Sequence, residues 1–179
     1  MTDGDGWTRC TLGHRHWGRF GAAGLLVVTT DVEPSVLLQH RAPWSHGGDT
    51  WGVPGGARNR VETPEQAARR ETVEETRLDV DQVTVLSEHV ADHGTWRYTT
   101  FVASAPRRQL VVPERESLAL RWVPVAQVDD LPLHKAFAAA WPALRHVLPG
   151  AAAHPCRGAG RWGSARPSCS GTSTPRTAG

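Results

Sequence analysis

Three glutamates stand at spacings that would place them together on a helix. Glu71, Glu74 and Glu75 occupy positions i, i+3 and i+4 of the segment 63–77, and residues so spaced share one face of an α-helix. Carboxylates this close repel one another when ionised, unless a cation offsets their charge. An oxygen-only cluster suits a hard divalent ion, Mg²⁺ or Mn²⁺. Glu62, just before the helix, could fold back toward the same face.

The same residues also fit a plain, solvent-facing helix. Glu65 and Arg69 are spaced i, i+4, and so are Arg70 and Glu74. Ion pairs at this spacing are common on exposed helices and need no metal. The helix residues by themselves therefore leave both interpretations open.

The loop before the helix adds fixed positions to the pattern. The order is Gly56, five residues, Glu62, seven residues, Arg70-Glu71, two residues, Glu74-Glu75, one residue, then Arg77 and Leu78. This spacing resembles the Nudix box, and the approach WGVPGG at 51–56 resembles the entry strand and glycine turn of that family. Two positions depart from the box. Thr72 fills an apolar position, and Arg77 stands where Gly normally ends the helix.

The departure at Arg77 leaves two alternatives for the end of the helix. Arg77 either adopts the left-handed conformation that Gly would adopt, at a cost of about 1 kcal/mol, or the helix ends in another way. No metal ligand of the box is lost by either alternative.

The resemblance implies an α/β protein, the Nudix α/β/α sandwich with a mixed β-sheet. It further implies magnesium-dependent hydrolysis of a diphosphate linkage in a nucleotide, with Mn²⁺ as an alternative ion. The metal site would comprise Gly56, Glu71, Glu74 and Glu75. Glu71 would also be the general base, and Arg70 would orient Glu62 or Glu71 by ion pairing. Glu62 would be a support or a further ligand.

Residues outside the box could complete the site. Glu116 precedes a predicted strand and could supply one more carboxylate to the metal, although an ordinary loop charge is an equal alternative. Arg41 ends a predicted strand and could hold a phosphate, or lie at the surface. Trp44 and Trp51 bracket the loop before the box. Each could stack on a base, and a packing role is the favoured alternative for both.

Comparison with subgroups of the family narrows the substrate by elimination. The segment 91–96 lacks the Pro typical of ADP-ribose-type members, and Tyr98 comes slightly late for diadenosine-polyphosphate members. The remaining prediction is a (d)NTP or oxidised (d)NTP, cleaved to a nucleoside monophosphate and pyrophosphate. The alternatives are an ADP-ribose or nucleoside-diphosphate-sugar pyrophosphatase, or a non-catalytic nucleotide-binding module. The oligomeric state stays open, with a homodimer as one alternative.

Periodicity and turn residues predict alternating strands and helices in a single domain. A flexible lead-in is predicted for 1–18, the hydrolase domain for 19–149, and a disordered tail for 150–179. Thr63, Pro64 and Gln66 have the spacing of a capping box at the start of a helix that extends to about Arg77. The predicted strands cover 20–30, 36–41, 51–53, 83–90, 96–104 and 118–123, and a second helix covers 133–148.

The charge and the apolar segments of the sequence indicate which classes of partner to expect. Net charge is +2, but the segment 151–179 holds four Arg and no acidic residue, which leaves the body with 16 basic and 18 acidic residues. An acidic body argues against nucleic acid as the main partner. No apolar run is long enough to cross a bilayer and the N-terminus has no apolar signal region, so a cytoplasmic protein without membrane contact is predicted.

The spacing of cysteines and histidines in the sequence does not indicate a second metal site. Cys10, Cys156 and Cys169 are far apart and form no CxxC pair, which argues against a disulfide framework or a zinc site. His40, His46, His89 and His93 are scattered without metal-ligand spacing and are interpreted as ordinary packed or exposed residues. His14 and His16 lie in the predicted lead-in and carry little weight.

Overall fold

The computed structural model describes residues 3–149, so the predicted tail, 150–179, lies outside the described residues. Nine strands and two α-helices alternate along this range, with short 3-10 turns at Val80–Gln82 and Val125–Asp130. The strands are β1 Trp7–Arg9, β2 Arg15–Trp17, β3 Ala22–Thr29, β4 Ser35–Arg41, β5 Trp51–Gly52, β6 Gly55–Ala57, β7 Thr84–Asp92, β8 Arg97–Ala105 and β9 Ser117–Pro124, and the helices are α1 Pro64–Thr76 and α2 Lys135–His146.

Seven of these strands form one mixed sheet. Its main path is β5-β4-β3-β8-β7, with β6 paired to β3 and β9 paired to β4. Strands β3 and β8 are parallel along their whole length, from Ala22 opposite Tyr98 to Thr29 opposite Ala105, whereas the other pairs are antiparallel. The mixed sheet expected from the sequence is therefore confirmed.

Helices cover both faces of this sheet, because β3 sends alternate apolar side chains to opposite sides. Leu26 and Val28 belong to the cluster that includes α2 residues, while Leu25 and Val27 belong to the cluster that includes α1 residues. Successive side chains of a strand point to opposite faces, so a fully buried strand must pack against a layer on each side. The predicted α/β/α sandwich is confirmed.

Helix α1 begins as its sequence predicts. The Thr63 side chain accepts a hydrogen bond from the backbone N–H of Gln66, and the Gln66 side chain accepts one from the Thr63 N–H. Pro64 occupies the first turn, where a missing N–H costs nothing. The helix ends at Arg77, which adopts the left-handed conformation with φ of 60°. Arg77 thus takes the conformation of the box glycine that it replaces.

The hairpin predicted from the first two buried strands forms only at its tip. Strands β3 and β4 pair at Val28 and Val36, and then they separate. Strand β4 continues as the partner of β9 and β5, while β6 takes the other end of β3 at Ala22–Gly24. The sequence places β6 in a glycine turn, because a strand of Gly55-Gly56-Ala57 has none of the usual side-chain signals.

The segment expected to be a loose lead-in contains regular structure. Strands β1 and β2 pair as an antiparallel hairpin, with Trp7 opposite Trp17 and Arg9 opposite Arg15. The hairpin is held to the body by Arg19, whose backbone N–H donates to the Gly4 carbonyl, and by Thr11, whose hydroxyl donates to the His93 carbonyl. The domain boundary at residue 18 stays a prediction.

Helices α1 and α2 fall short of what a bilayer crossing requires, and no helix in residues 3–149 is both long and apolar enough for it.

Candidate active site

Arg70 contacts the carboxylates that surround the start of the box. Its Nε and Nη2 donate to the two carboxylate oxygens of Glu62 at 2.6 and 3.0 Å. Its Nη1 donates to Glu71 at 2.7 Å and to Glu74 at 3.3 Å, and Nη2 also donates to the Ala57 carbonyl at 2.9 Å. Glu62 and Glu71, which the sequence offered as alternative partners of Arg70, are therefore both paired with it in the same structure.

Glu62 is held in a fixed, ionised state. Besides the two bonds from Arg70, its carboxylate accepts the backbone N–H of Asn59 at 2.9 Å. These donors, the Arg70 side chain above all, lower the pKa of Glu62 to about 2. A carboxylate that accepts hydrogen bonds from both Arg70 and Asn59 suits a supporting role. It orients Arg70 and links the loop after Gly56 to helix α1.

Gly56 lies directly against the carboxyl group of Glu71. A Cβ built on Gly56 would be 2.5 Å from Glu71 Cδ, closer than real side chains approach. Only glycine leaves room for that carboxylate at this position. Burial raises the pKa of Glu71, while the hydrogen bond from Arg70 acts in the opposite direction.

Glu75 is turned inward, next to the glycine turn. Its carboxylate accepts the backbone N–H of Gly55 at 2.8 Å and a hydrogen bond from the buried Gln39. Gln39 in turn donates to the Ser117 hydroxyl at 2.8 Å. Burial is the largest influence on Glu75, and it raises the pKa of this carboxyl group to about 7. A partly buried negative charge here calls for a compensating cation.

Two predicted ligands lie further out. The Glu74 side chain is 57% exposed, and Glu116 is exposed on the loop before β9. Glu116 contributes its backbone carbonyl to Ala42, and its neighbour Ser117 bonds to Gln39. The box carboxylates do not gather three donor atoms within 4.8 Å in the described range. They nevertheless form an all-oxygen donor set around Gly56, which fits a hard divalent ion.

A cavity of about 290 Å³ opens beside the glycine turn, and both Gly55 and Gly56 form part of its wall. Since Glu75 bonds to Gly55 and Glu71 packs on Gly56, the carboxylates stand at one end of this cavity. Its tryptophan, tyrosine and phenylalanine side chains come from three elements and one turn: Trp17 of β2, Tyr98 of β8, Phe137 of α2 and Trp96 of the β7–β8 turn. A cavity with aromatic walls and with carboxylates at one end, where a divalent ion could bind, is suited to a nucleotide.

The family model described as "NUDIX domain" matches residues 18–147. The chain belongs to the Nudix family. It is a Nudix hydrolase, a pyrophosphohydrolase of nucleotide substrates, and the family uses divalent metal ions. A protein of Mycobacterium tuberculosis named "Putative 8-oxo-dGTP diphosphatase 3" is 52% identical over 151 residues, which cover 80% of this chain and 70% of that protein.

Solved structures of Nudix proteins share the fold. The structure of RenU, a Nudix hydrolase from M. smegmatis, has 51% sequence identity and a TM-score of 0.76, and the match covers 80% of this chain and 94% of that one. A C. elegans Ap4A hydrolase complex has a TM-score of 0.58 at 22% identity, covering 70% and 93%, and supports the fold alone.

The three residues predicted to contact substrate lie in different surroundings in this Nudix hydrolase. Arg41 lines the cavity, and its Nε donates to the His46 carbonyl at 2.9 Å. Trp44 is 74% exposed and is not part of the cavity wall. Trp51 is buried in the core, where its ring stacks on His40 at 4.8 Å. Trp51 therefore has the packing role that the sequence favoured.

Sequence reasoning missed most of the cavity wall. Trp17 and Trp96 lie 79 positions apart in sequence and meet only because the N-terminal hairpin docks beside the β7–β8 turn. Trp96 is fixed there by its indole N–H, which donates to the Gly18 carbonyl at 2.8 Å. No local pattern predicts this docking, because the hairpin itself lacks an apolar periodicity.

Proposed function

We propose that this Nudix hydrolase cleaves a nucleoside triphosphate, in particular an oxidised deoxynucleoside triphosphate, to the monophosphate and pyrophosphate with Mg²⁺. The observation that carries the proposal is the direct continuity between an aromatic cavity and the carboxylates behind Gly55 and Gly56. The relative with 52% identity, which is named as an 8-oxo-dGTP diphosphatase, supports the same substrate class.

The cavity would receive the nucleoside. Trp17 offers a flat ring on which a base can stack, whereas Trp96 is buried and already stacked on the ring of His16. A volume of about 290 Å³ approaches the lower end of ordinary ligand pockets, about 300 Å³. Arg41, at the wall of the same cavity, would contact a phosphate group. The phosphate chain would then lie along Gly55 and Gly56, where no Cβ obstructs its approach.

The box residues divide the remaining tasks. Glu71, Glu74 and Glu75 would hold Mg²⁺, which neutralises phosphate oxygens and makes a bound water more acidic. Glu71 would accept the proton from the attacking water, since its carboxyl group lies against Gly56 at the end of the cavity. Arg70 and Glu62 would act as positioning residues, because Arg70 donates to Glu71 and is itself held by the Glu62 carboxylate.

Product analysis on a substrate panel tests this function. The full chain would be incubated with Mg²⁺ and canonical dNTPs, 8-oxo-dGTP, ADP-ribose and a diadenosine polyphosphate, and the products separated by ion-exchange chromatography. We expect a nucleoside monophosphate and pyrophosphate, with the highest kcat/KM on an oxidised dNTP. Two monophosphates from ADP-ribose, without cleavage of any triphosphate, would overturn the proposed substrate class.

A pair of matched variants tests the assignment of the base. Glu71→Gln should lower kcat by about 10²- to 10⁴-fold, the usual contribution of a positioned general base. Glu65→Gln is the control, because Glu65 lies on the same helix, is 43% exposed and pairs only with Arg69. Equal loss in both variants would show a general effect on α1 rather than loss of the base.

A further inference from the structure

Four side chains outside the Nudix box meet at the tip of the N-terminal hairpin. Cys10, His14, His16 and His93 each contribute one potential ligand atom, and these four atoms lie within 4.8 Å of one another. In a tetrahedral site with Zn–N of about 2.0–2.1 Å and Zn–S of about 2.3 Å, ligand atoms lie about 3.3–3.8 Å apart. Small side-chain rotations would bring all four to one ion.

The turn of the hairpin brings the first three ligands together. The Cys10 N–H donates to the His14 carbonyl at 3.0 Å, and the Gly13 N–H donates to the Cys10 carbonyl at 2.9 Å. Gly13 has φ of 81°, a conformation that favours glycine. His14 and His16 are two positions apart at the start of β2, so their rings project from the same side.

The fourth ligand comes from the turn between β7 and β8. The Thr11 hydroxyl donates to the His93 carbonyl at 3.2 Å, which places this turn directly against the hairpin tip. A Cβ on Gly94 would collide with the Thr11 hydroxyl, so the two segments are in close contact. The His93 and His16 ring centroids are 4.7 Å apart, and the rings are inclined by 60°. They converge rather than stack.

Within the described residues, two ring nitrogens at the centre of this cluster have no hydrogen-bond partner. They are Nε2 of His16 and Nδ1 of His93, and both are buried. Buried polar atoms almost always have a partner, so a ligand is expected there. Cys10 is buried as a free thiol beside them.

We propose that Cys10, His14, His16 and His93 bind one zinc ion that fastens the N-terminal hairpin to the β7–β8 turn. One thiolate and three imidazoles favour zinc over magnesium, which prefers oxygen ligands. Four protein ligands make a closed, structural site. Since His16 and His93 also line the substrate cavity, the ion fixes one wall of that cavity and is separate from the magnesium site of the box.

Metal analysis of the full chain tests the proposal. The protein would be produced with zinc in the medium and dialysed against excess Mg²⁺, and its zinc content measured by mass spectrometry. We expect one zinc per chain in the parent and at least about tenfold less in the double variant Cys10→Ser/His93→Ala. Replacing zinc by Co²⁺ should give the visible bands of a tetrahedral cobalt–thiolate centre in the parent chain.

Three control variants separate this site from other ligands. Cys156→Ser/Cys169→Ser removes the other two thiols, and His89→Ala removes a histidine that lines the same cavity but lies outside the cluster. Glu74→Gln/Glu75→Gln removes two box carboxylates. All three should keep one zinc. Undiminished zinc in Cys10→Ser/His93→Ala, or the absence of a cobalt–thiolate band in the parent, would overturn the proposal; the band does not depend on how any variant folds.

Discussion

Glu62 and Glu75 are both carboxylic acids, but their surroundings shift the pKa in opposite directions. Glu62 is surrounded by donors from Arg70 and Asn59, and its pKa falls to about 2. Glu75 is desolvated with fewer donors, and its pKa rises to about 7. The first carboxylate has its charge balanced by the protein itself. The charge of the second would be balanced by the Mg²⁺ ion proposed for this site.

The raised pKa of Glu75 predicts an unusual pH dependence of stability. Its folded-state pKa of about 7 lies above its ordinary value of 4.5. Its contribution to the free energy of unfolding is therefore complete below about pH 4.5 and is lost as pH rises through 7. Without added divalent ions, Glu75→Gln should unfold with a free energy up to about 3 kcal/mol higher than the parent at pH 8, and nearly equal at pH 5.

Denaturant titrations from pH 5 to pH 8 measure this difference. Glu74→Gln is the matched control, because its side chain is 57% exposed and on the same helix. It should change the free energy of unfolding little at either pH. Added Mg²⁺ should stabilise the parent at pH 8 and stabilise Glu75→Gln much less. A constant difference between Glu75→Gln and the parent across the whole pH range would contradict the assigned environment.

At the level of elements, helix α1 was the most predictable part of the molecule. Its first turn follows from the residues Thr63, Pro64 and Gln66, whose interactions are local. The sequence left the end of the helix open, because the conformation of Arg77 depends on tertiary contacts that a local pattern does not show. Arg77 is held by Glu114, which accepts from its Nε at 3.0 Å. That partner lies 37 positions away, beyond the range of any local pattern.

Two substitutions at Arg77 separate the backbone strain from the ion pair. Arg77→Ala removes the exposed pair with Glu114, worth about 0–1 kcal/mol, and keeps the left-handed conformation. Arg77→Gly removes the same pair and relieves about 1 kcal/mol of backbone cost. Thermal or denaturant unfolding should therefore find Arg77→Gly more stable than Arg77→Ala by about 1 kcal/mol. Equal stabilities would mean that residue 77 leaves the left-handed region in the variants.

For the molecule as a whole, the sequence predicted the α/β/α sandwich and the Nudix box. It did not predict the cavity or the cluster around Cys10. The buried apolar run of β3 and the spacing of the box are local patterns. The layers on both faces of the sheet confirm the buried strand, and Arg70 of the box contacts Glu62. The cavity and the Cys10 cluster depend on which distant segments meet. His93 joins Cys10 across 83 positions, and local periodicity carries no information about such pairing.

The cavity wall allows a final test in which one tryptophan serves as the control for another. Trp17 lies on β2, is 39% exposed and lines the cavity, whereas Trp44 is 74% exposed and lies outside the wall. If a base stacks on Trp17, Trp17→Ala should raise KM for the preferred triphosphate about five- to tenfold, the equivalent of about 1 kcal/mol, with kcat nearly unchanged. Trp44→Ala should change neither constant.

The split between KM and kcat distinguishes stacking from a loss of structure. Trp17 also contacts Trp7, whose ring centroid is 5.6 Å away, so Trp17→Ala could instead loosen the hairpin. Trp7→Ala removes that contact and no residue of the cavity lining, although Trp7 also contacts His46 and Arg15 of that lining. KM should stay within about twofold of the parent if only stacking on Trp17 matters. A KM that rises equally in Trp7→Ala and Trp17→Ala would show that the hairpin acts through its position. A KM that rises only in Trp44→Ala would place the base at Trp44 rather than at Trp17.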